Sequence, residues 1–438
     1  MFFLIIFFDI VFFILLKVYK KIEPEIKTIY SKYLIYIFLL GSISIFLYTA
    51  DNFIFHNQVD MEGDAQMYYY GAEEYLTTGQ TSAFYPYYVK FISLFLWKGN
   101  VITIRYAHLF LFLLIFAIGT LILNNFKVSR KGYEYFSFFV GLSGVYYAFV
   151  SEIVRDLFIL FHLVVVVYLI SKLLLLYDQG NLRLRKVIIY LTLLLFVVSG
   201  INELANFIVY ILLAALWCVL IIRIALSKIN FFYKTIILVF VTLISFIVIM
   251  FVSPIESFIY QYQLNIIEKT RIQEEMGYTG GRGIEKNLLF ASLRFIFGPG
   301  LIRPLFPSQY TLVYTTMFMV FTWWAALFWY LNLLITIPLI IKRPLIFLKN
   351  TTALFLLVLI VEYILVYALS VGGLGGLRKR MIVHFMYTLF IAINYFSNFQ
   401  PRKVKDFKFY YKGIKLPSTV TVGITILLFI LIHLRGLD

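Results

Sequence analysis

From Thr235 to Val252 the chain runs through eighteen residues without a charge, a glycine or a proline. A run of that length has one natural solvent, because a bilayer span needs roughly 20 mostly apolar residues. In hydrocarbon every backbone amide and carbonyl must be satisfied inside the protein, so only helices and closed barrels can cross. The run shows no alternation of period two, which argues against a barrel strand and leaves the helix. The rest of the chain agrees: 62% of its residues are hydrophobic, 14% are charged, and the mean hydropathy is +0.91. A water-soluble domain averages about 25% charged residues, so no aqueous surface can be assembled from this mixture.

Apolar runs recur at 1–16, 33–49, 101–123, 135–150, 157–176, 187–200, 207–226, 235–252, 310–341, 351–370, 381–397 and 418–434. The expected fold is all-α, a polytopic transmembrane helical bundle of about twelve spans, forming one domain over residues 1–438. The first run carries Asp9 and is followed, not preceded, by Lys17, Lys20 and Lys21. That order fits an uncleaved anchor with its amino end outside better than a signal peptide.

Lysine and arginine mark the cytoplasmic side of short loops. Connections 17–32, 124–134, 177–186, 227–234, 342–350 and 398–417 together hold 22 of them, whereas the longer intervening connections hold 13. The chain is therefore expected in the cell (cytoplasmic) membrane, multi-pass, with the first set inside. The formal charge of +16 then reads as a topology signal toward the lipid bilayer, and no nucleic-acid partner is expected. The single cysteine, Cys218, rules out a disulfide framework, and the histidines at 56, 108, 162, 384 and 433 are too scattered for a metal constellation.

Two outer connections are too long to be turns. The first, 50–100, holds Asp51, Asp60, Glu62, Asp64, Glu73 and Glu74 against Lys90 and Lys98. Its centre reads as a short helix capped by Asp64 and stopped by Gly79. Ala65, Tyr68, Ala72, Tyr75 and Leu76 form an apolar stripe expected to lie at the headgroup boundary. An extended stretch from Phe84 through Tyr85 to Tyr88 should follow, then a second amphipathic segment from Val89 to Trp97. The second long connection, 253–309, puts Lys269 and Arg271 on a polar helix, then adds Gly280-Gly281-Arg282-Gly283 and the run from Arg294 to Pro304. A basic loop of this kind suits closure over a phosphate-bearing substrate.

Charges also gather where spans reach the outer side. On a continuous helix Glu152 would lie one turn from both Arg155 and Asp156, placing three charges on one face at the mouth of the fifth span. Glu203, at the next outer turn, is a candidate for the same hollow. Arg378, Lys379 and Arg380 break the positive-inside rule beside the glycine-rich segment 372–376. Backbone amides there suit an anion, and arginine holds phosphate through two donors at once. Plainer readings stand beside these: a simple N-cap for Asp64, a snorkelling ion pair for Arg155, and headgroup contact for the late arginines. Glu362, within the tenth span, receives no role.

The order Gly63-Asp64, a tyrosine, an alanine and then Tyr85-Pro86 resembles the first outer loop of the C-type glycosyltransferase superfamily, with its protein-mannosyltransferase-like and polysaccharide-polymerase-like members. The likeness covers residues 63–88, with weaker echoes at Arg155-Asp156 and Arg378 to Arg380. It implies a polyprenyl-phosphate or polyprenyl-diphosphate sugar donor, a glycan acceptor, and Asp64 as the catalytic carboxylate. Arg155, Arg378 and Arg380 are expected to meet the carrier's phosphate, with Arg271 and Arg282 nearby. Glu62, Glu152, Asp156, Glu203, Tyr68 and Tyr85 are expected to support the site. Here Glu62 precedes Asp64 where an acidic residue directly after it would be usual, which leaves a second carboxylate's part open.

Such chemistry needs a base for the acceptor hydroxyl and cations for a phosphate leaving group, and no general acid. Asp60, Glu62 and Asp64 could also chelate a divalent cation, magnesium or manganese, although no metal site is assigned. Two other readings stay open. One is a polysaccharide polymerase joining lipid-linked repeat units; the other, of a different class, is a flippase or transporter for lipid-linked sugars.

Overall fold

The computed structural model of the protein describes residues 2–55, 64–82, 85–96, 100–179, 184–226, 316–343, 345–371 and 377–397, together with 235, 239, 292, 293, 295 and 296. In chain order the helices are α1 (Phe2–Lys21), α2 (Pro24–Phe55), α3 (Asp64–Thr78), α4 (Pro86–Ser93), α5 (Val101–Asn125), α6 (Arg130–Gly141) and α7 (Gly144–Ser151). They continue as α8 (Asp156–Asp178), α9 (Leu184–Ala205), α10 (Phe207–Ala225), α11 (Thr316–Lys342), α12 (Thr351–Val371) and α13 (Leu377–Tyr395). Among the described residues there is no strand, only one isolated bridge between Val128 and Ser397.

Seven of these helices, α1, α2, α5, α8, α9, α10 and α11, are long and apolar enough to cross a membrane. Shorter apolar stretches occupy α12, over Thr351–Tyr367, and α13, over Arg380–Phe396. The chain is therefore a multi-pass helical membrane protein. The expected span at 235–252 apart from Thr235 and Val239, the expected span at 418–434, and the loop 253–309 apart from four residues lie outside the described residues.

Helix α5 forms the axis of the bundle and is buried along most of its length, from Val101 to Leu123. Helices α1, α2, α7 and α8 pack around it. Outward faces are apolar instead of polar: Phe2 is 70% exposed and Phe196 78% exposed. Water would not tolerate that surface, and lipid does.

Two ends organise the bundle. At one, the lysine end, Asn124 donates to the Lys21 carbonyl (3.4 Å), Ser129 to the Phe396 carbonyl (2.8 Å) and Arg223 to the Leu348 carbonyl (3.0 Å). Asp178 accepts from the Thr351 hydroxyl at 2.6 Å, and Asn350 Oδ1 accepts from the amides of Thr352 (2.9 Å) and Ala353 (3.2 Å), so the first turn of α12 is capped twice. These are the chain positions that the lysine and arginine count groups together. Helices α3 and α4, the starts of α5 and α8, the α9–α10 turn and the start of α13 gather at the opposite end, the cap end.

Two expected spans come out differently. The run 135–150 is not one helix but two, α6 and α7, interrupted at Leu142-Ser143. The Tyr147 hydroxyl donates to the Gly141 carbonyl across the break, which satisfies an acceptor the interruption frees. Gly144 opens α7 against α11, where a Cβ would stand 2.7 Å from the Phe321 carbonyl oxygen and 2.8 Å from Trp324 Cβ. The run 187–200 is longer than expected, a helix over Leu184–Ala205, whereas the run 207–226 is found over Phe207–Ala225; the two meet at Ala205 (φ −165°, ψ 78°), the non-helical residue between two legs. One leg climbs from the lysine end to Leu204 beside Arg155, and the other returns to Arg223.

Candidate functional site

Helix α3 is described from Asp64 and closes at Gly79, the expected stop, whose φ of +74° suits glycine; the Gly79 amide donates to the Tyr75 carbonyl at 2.9 Å. Beyond this stop the chain folds back, so that Glu74 Oε2 accepts from both the amide and the hydroxyl of Ser82 at 2.9 Å. Those two donors hold the Glu74 carboxyl below its ordinary value. Burial and the neighbouring Glu73 carboxylate push the Tyr69 phenol up to about 12, so it stays protonated.

The apolar stripe of α3 is not turned outward as a whole: Ala65, Tyr68 and Ala72 are buried where α3 packs on α4, Tyr75 is half-buried, and Leu76 is exposed. Nor is the following segment extended. Pro86 takes the first helical position of α4, where its missing amide costs nothing, and Tyr87 and Tyr88 are helical. Tyr85 precedes it in the left-handed region (φ 65°, ψ 60°), an uncommon conformation for a bulky residue. The Tyr68 ring meets Tyr88 edge-on at 5.0 Å and Tyr85 at 6.5 Å.

The shared helical face expected for Glu152, Arg155 and Asp156 is absent. Glu152 is extended (φ −94°, ψ 140°) at the end of α7, and α8 begins only at Asp156. The interruption turns Arg155 toward the cap. Its guanidinium carbon sits 3.2 Å from the centroid of the Tyr85 ring, and its NH1 donates to the Leu204 carbonyl at 2.5 Å. That carbonyl is available because the non-helical Ala205 interrupts the α9–α10 ladder just after it. Among the described residues Arg155 pairs with no carboxylate. Asp156 is buried in the first turn of α8, where the amide dipoles favour a negative charge, and Glu203 is exposed.

A second cation stands at the same end. Arg380 Nε donates to the Phe295 carbonyl at 3.1 Å, and its guanidinium lies 5.9 Å from that ring. Phe295 stacks on Tyr367 at 6.0 Å, and Tyr367 meets Phe207 at 5.8 Å. Phe207 is the first residue of α10, so the α9–α10 turn stands between the two arginines, Leu204 on Arg155's side and Phe207 on Arg380's. The Trp329 indole donates to the Ile296 carbonyl at 2.6 Å, fixing the same short piece of the second long connection.

Beneath the cap lie polar residues for which sequence reasoning assigned no role. Arg105, 1% exposed on α5, donates to Thr49 Oγ1 at 2.6 Å and lies 5.0 Å from the Tyr48 ring. His108, one turn further, shares a 3.0 Å hydrogen bond with the Tyr88 hydroxyl of α4, and Tyr146 of α7 shares one of the same length with His384 of α13. Ionisable groups within the run 101–123, immediately after the first long connection, were the available signal.

Several expected site groups fall outside the described residues: Asp60, Glu62, Arg271 and Arg282 entirely, and the side chains of Asp64 and Arg378. Among the described residues no group of three or more His, Cys, Asp and Glu side chains could hold a metal ion. No protein-family model, curated protein or solved structure matches the chain.

Proposed function

We propose that the chain is a membrane glycosyltransferase, taking sugar from a polyprenyl-phosphate or polyprenyl-diphosphate carrier and passing it to a glycan acceptor on the extracytoplasmic side of the cell membrane. One observation carries the reading. Helix α3 carries Asp64 and packs through Tyr68 against Tyr85, and Tyr85 lies under the guanidinium of Arg155. The helix that bears the candidate base and a cation without a carboxylate partner thus belong to one packed unit at one end of the bundle. Arg380, beyond the α9–α10 turn, adds a second cation at that end.

In this reading the Asp64 carboxylate takes the proton of the acceptor hydroxyl as its oxygen bonds to the anomeric carbon. The bond from that carbon to the carrier phosphate breaks, and the phosphate leaves with the electron pair. Arg155 and Arg380 neutralise the charge that grows on it. The Tyr85 ring holds Arg155 against the cap, and Tyr68 packs on that ring.

Asp64→Asn tests the proposal, with a lipid-linked sugar and the purified protein in a bilayer. Transfer abolished at unchanged expression supports it, and transfer unchanged sinks it. In the same assay, growth only by whole lipid-linked repeat units would assign the polymerase reading instead.

A further inference from the structure

A different set of cations, remote from the cap, collects at the lysine end. Lys172 belongs to α8 rather than to a loop, and its ammonium donates to Asn125 Oδ1 and lies 5.7 Å from the Tyr168 ring. Lys21, the last residue of α1, accepts from the Asn124 side chain through its carbonyl at 3.4 Å, and Lys186 lies in the first turn of α9, which packs along α8, so both charges act on Lys172. Three lysines from three helices therefore converge on one corner of α5. None of the three has a carboxylate partner among the described residues, where the one ion pair within a helix joins Arg130 to Glu134. The Nδ2 of Asn125 is buried there without a hydrogen-bond acceptor.

Lysines that merely obey the positive-inside rule sit in solvated loops, apart from one another. Bringing three ammonium groups together around a membrane-embedded lysine is unfavourable by itself, as is leaving a buried amide donor unmet. One phosphate facing the three ammonium groups removes the first of these costs. The surface beside the corner is apolar: on α9, Leu184 is 75% exposed, Ile188 54% and Leu195 71%. A ligand there has its acyl chains against α9 and its charge at the interface, which describes a lipid better than a soluble ion.

We propose that Lys21, Lys172 and Lys186 bind the phosphate headgroup of an anionic phospholipid at the lysine end of the bundle. The site is independent of the cap and of the proposed transfer reaction.

Native mass spectrometry of the detergent-purified protein, offered equal amounts of phosphatidylglycerol and phosphatidylcholine, tests the site. Wild type is expected to retain phosphatidylglycerol preferentially. Lys186→Gln, an exposed change that leaves the core alone, should lower that retention about fivefold, from the usual contribution of one lysine near an anionic headgroup. Lys172→Met should lower it at least as far. Lys131→Gln, an exposed lysine of α6 at the same end, should leave it unchanged. Retention unaffected by Lys186→Gln, equal retention of both lipids, or an equal loss with Lys131→Gln each overturns the proposal. A phosphorus NMR titration with inorganic phosphate separates the sources: saturable binding of phosphate that Lys186→Gln removes would assign the corner to a free anion and overturn the lipid assignment.

Discussion

Arg155→Met removes the most heavily used side chain at the cap end, and the structure sets the size of the loss. The guanidinium stacks at 3.2 Å from the Tyr85 ring centroid and donates to the Leu204 carbonyl at 2.5 Å. A desolvated cation over an aromatic face contributes up to about 2 kcal/mol, and a hydrogen bond from a charged group about 1.5–3 kcal/mol. Leu204 is buried, so its carbonyl is left without a donor, and Arg155→Met should destabilise the protein by about 3–5 kcal/mol. Tyr85→Leu removes the stack together with the ring contact to Tyr68 and should cost about 1–2 kcal/mol or more. Arg155→Lys keeps the charge but not the planar fork, and should behave more like Met than like wild type.

The decisive quantity is the coupling between the two positions. Reversible unfolding in mixed micelles, followed by tryptophan fluorescence, gives the stabilities of wild type, both single variants and the double variant. If the ring and the guanidinium act on each other, the double variant should be more stable than the sum of the singles predicts by about 1–2 kcal/mol. Additivity within about 0.5 kcal/mol, or an Arg155→Lys variant as stable as wild type, would refute the clasp. Arg155 would then be a surface cation whose place is set by its backbone alone.

Two further outcomes follow from local geometry. Gly144→Ala puts a methyl 2.7 Å from the Phe321 carbonyl oxygen, backbone that cannot turn aside, so α7 and α11 must separate; a loss of about 1–3 kcal/mol in the same unfolding assay is expected, and a variant of unchanged stability would show that α11 shifts freely. The Glu74 carboxyl is held below its ordinary value by Ser82, so its stabilising effect is present above that value, 4.5, and is lost as the pH falls through and below it. Protection of the Ser82 amide against hydrogen exchange, taken relative to its intrinsic rate at each pH, should therefore fall below pH 4.5 in wild type and be absent at every pH in Glu74→Ala, and protection that ignores pH in wild type would remove the carboxylate from the account.

Helix positions were legible because hydrocarbon imposes length and composition so strictly. The runs at 101–123 and 157–176 became α5 and α8 within two residues at each end. The stop of α3 at Gly79 was legible because a left-handed turn is a property of a few neighbouring residues. The break at Leu142-Ser143 was not, since it depends on what Gly144 approaches: Phe321 and Trp324 lie far along the chain and no pattern within 135–150 encodes them. The same holds for Arg155. Its spacing from Glu152 suggests a helical ion-pair face, but the chain is extended at Glu152, and the partners are a ring from α4's first turn and a carbonyl from α9. For the stripe of α3, composition gave the residues but not the neighbour, because a tyrosine face suits a headgroup layer and a second helix equally well.

That ambiguity has one physical source. In water an apolar face must be covered, so hydrophobic spacing points to the core; in lipid the surroundings are as apolar as the interior, and the spacing points nowhere. Helices α1 and α5 are equally apolar as sequences, yet α1 is almost wholly on the outside and α5 is the axis. What separates them is the polar minority. Arg105 and His108 would be costly against lipid and must find Thr49 and Tyr88 inside, which fixes how α5 is turned. His384 on α13, paired with Tyr146, does the same for that helix. Asp9, exposed on α1, is the residue this rule does not explain. For this bundle the polar side chains within the apolar runs, read as obligate inward contacts, carry the orientation information that hydrophobic periodicity supplies in soluble proteins.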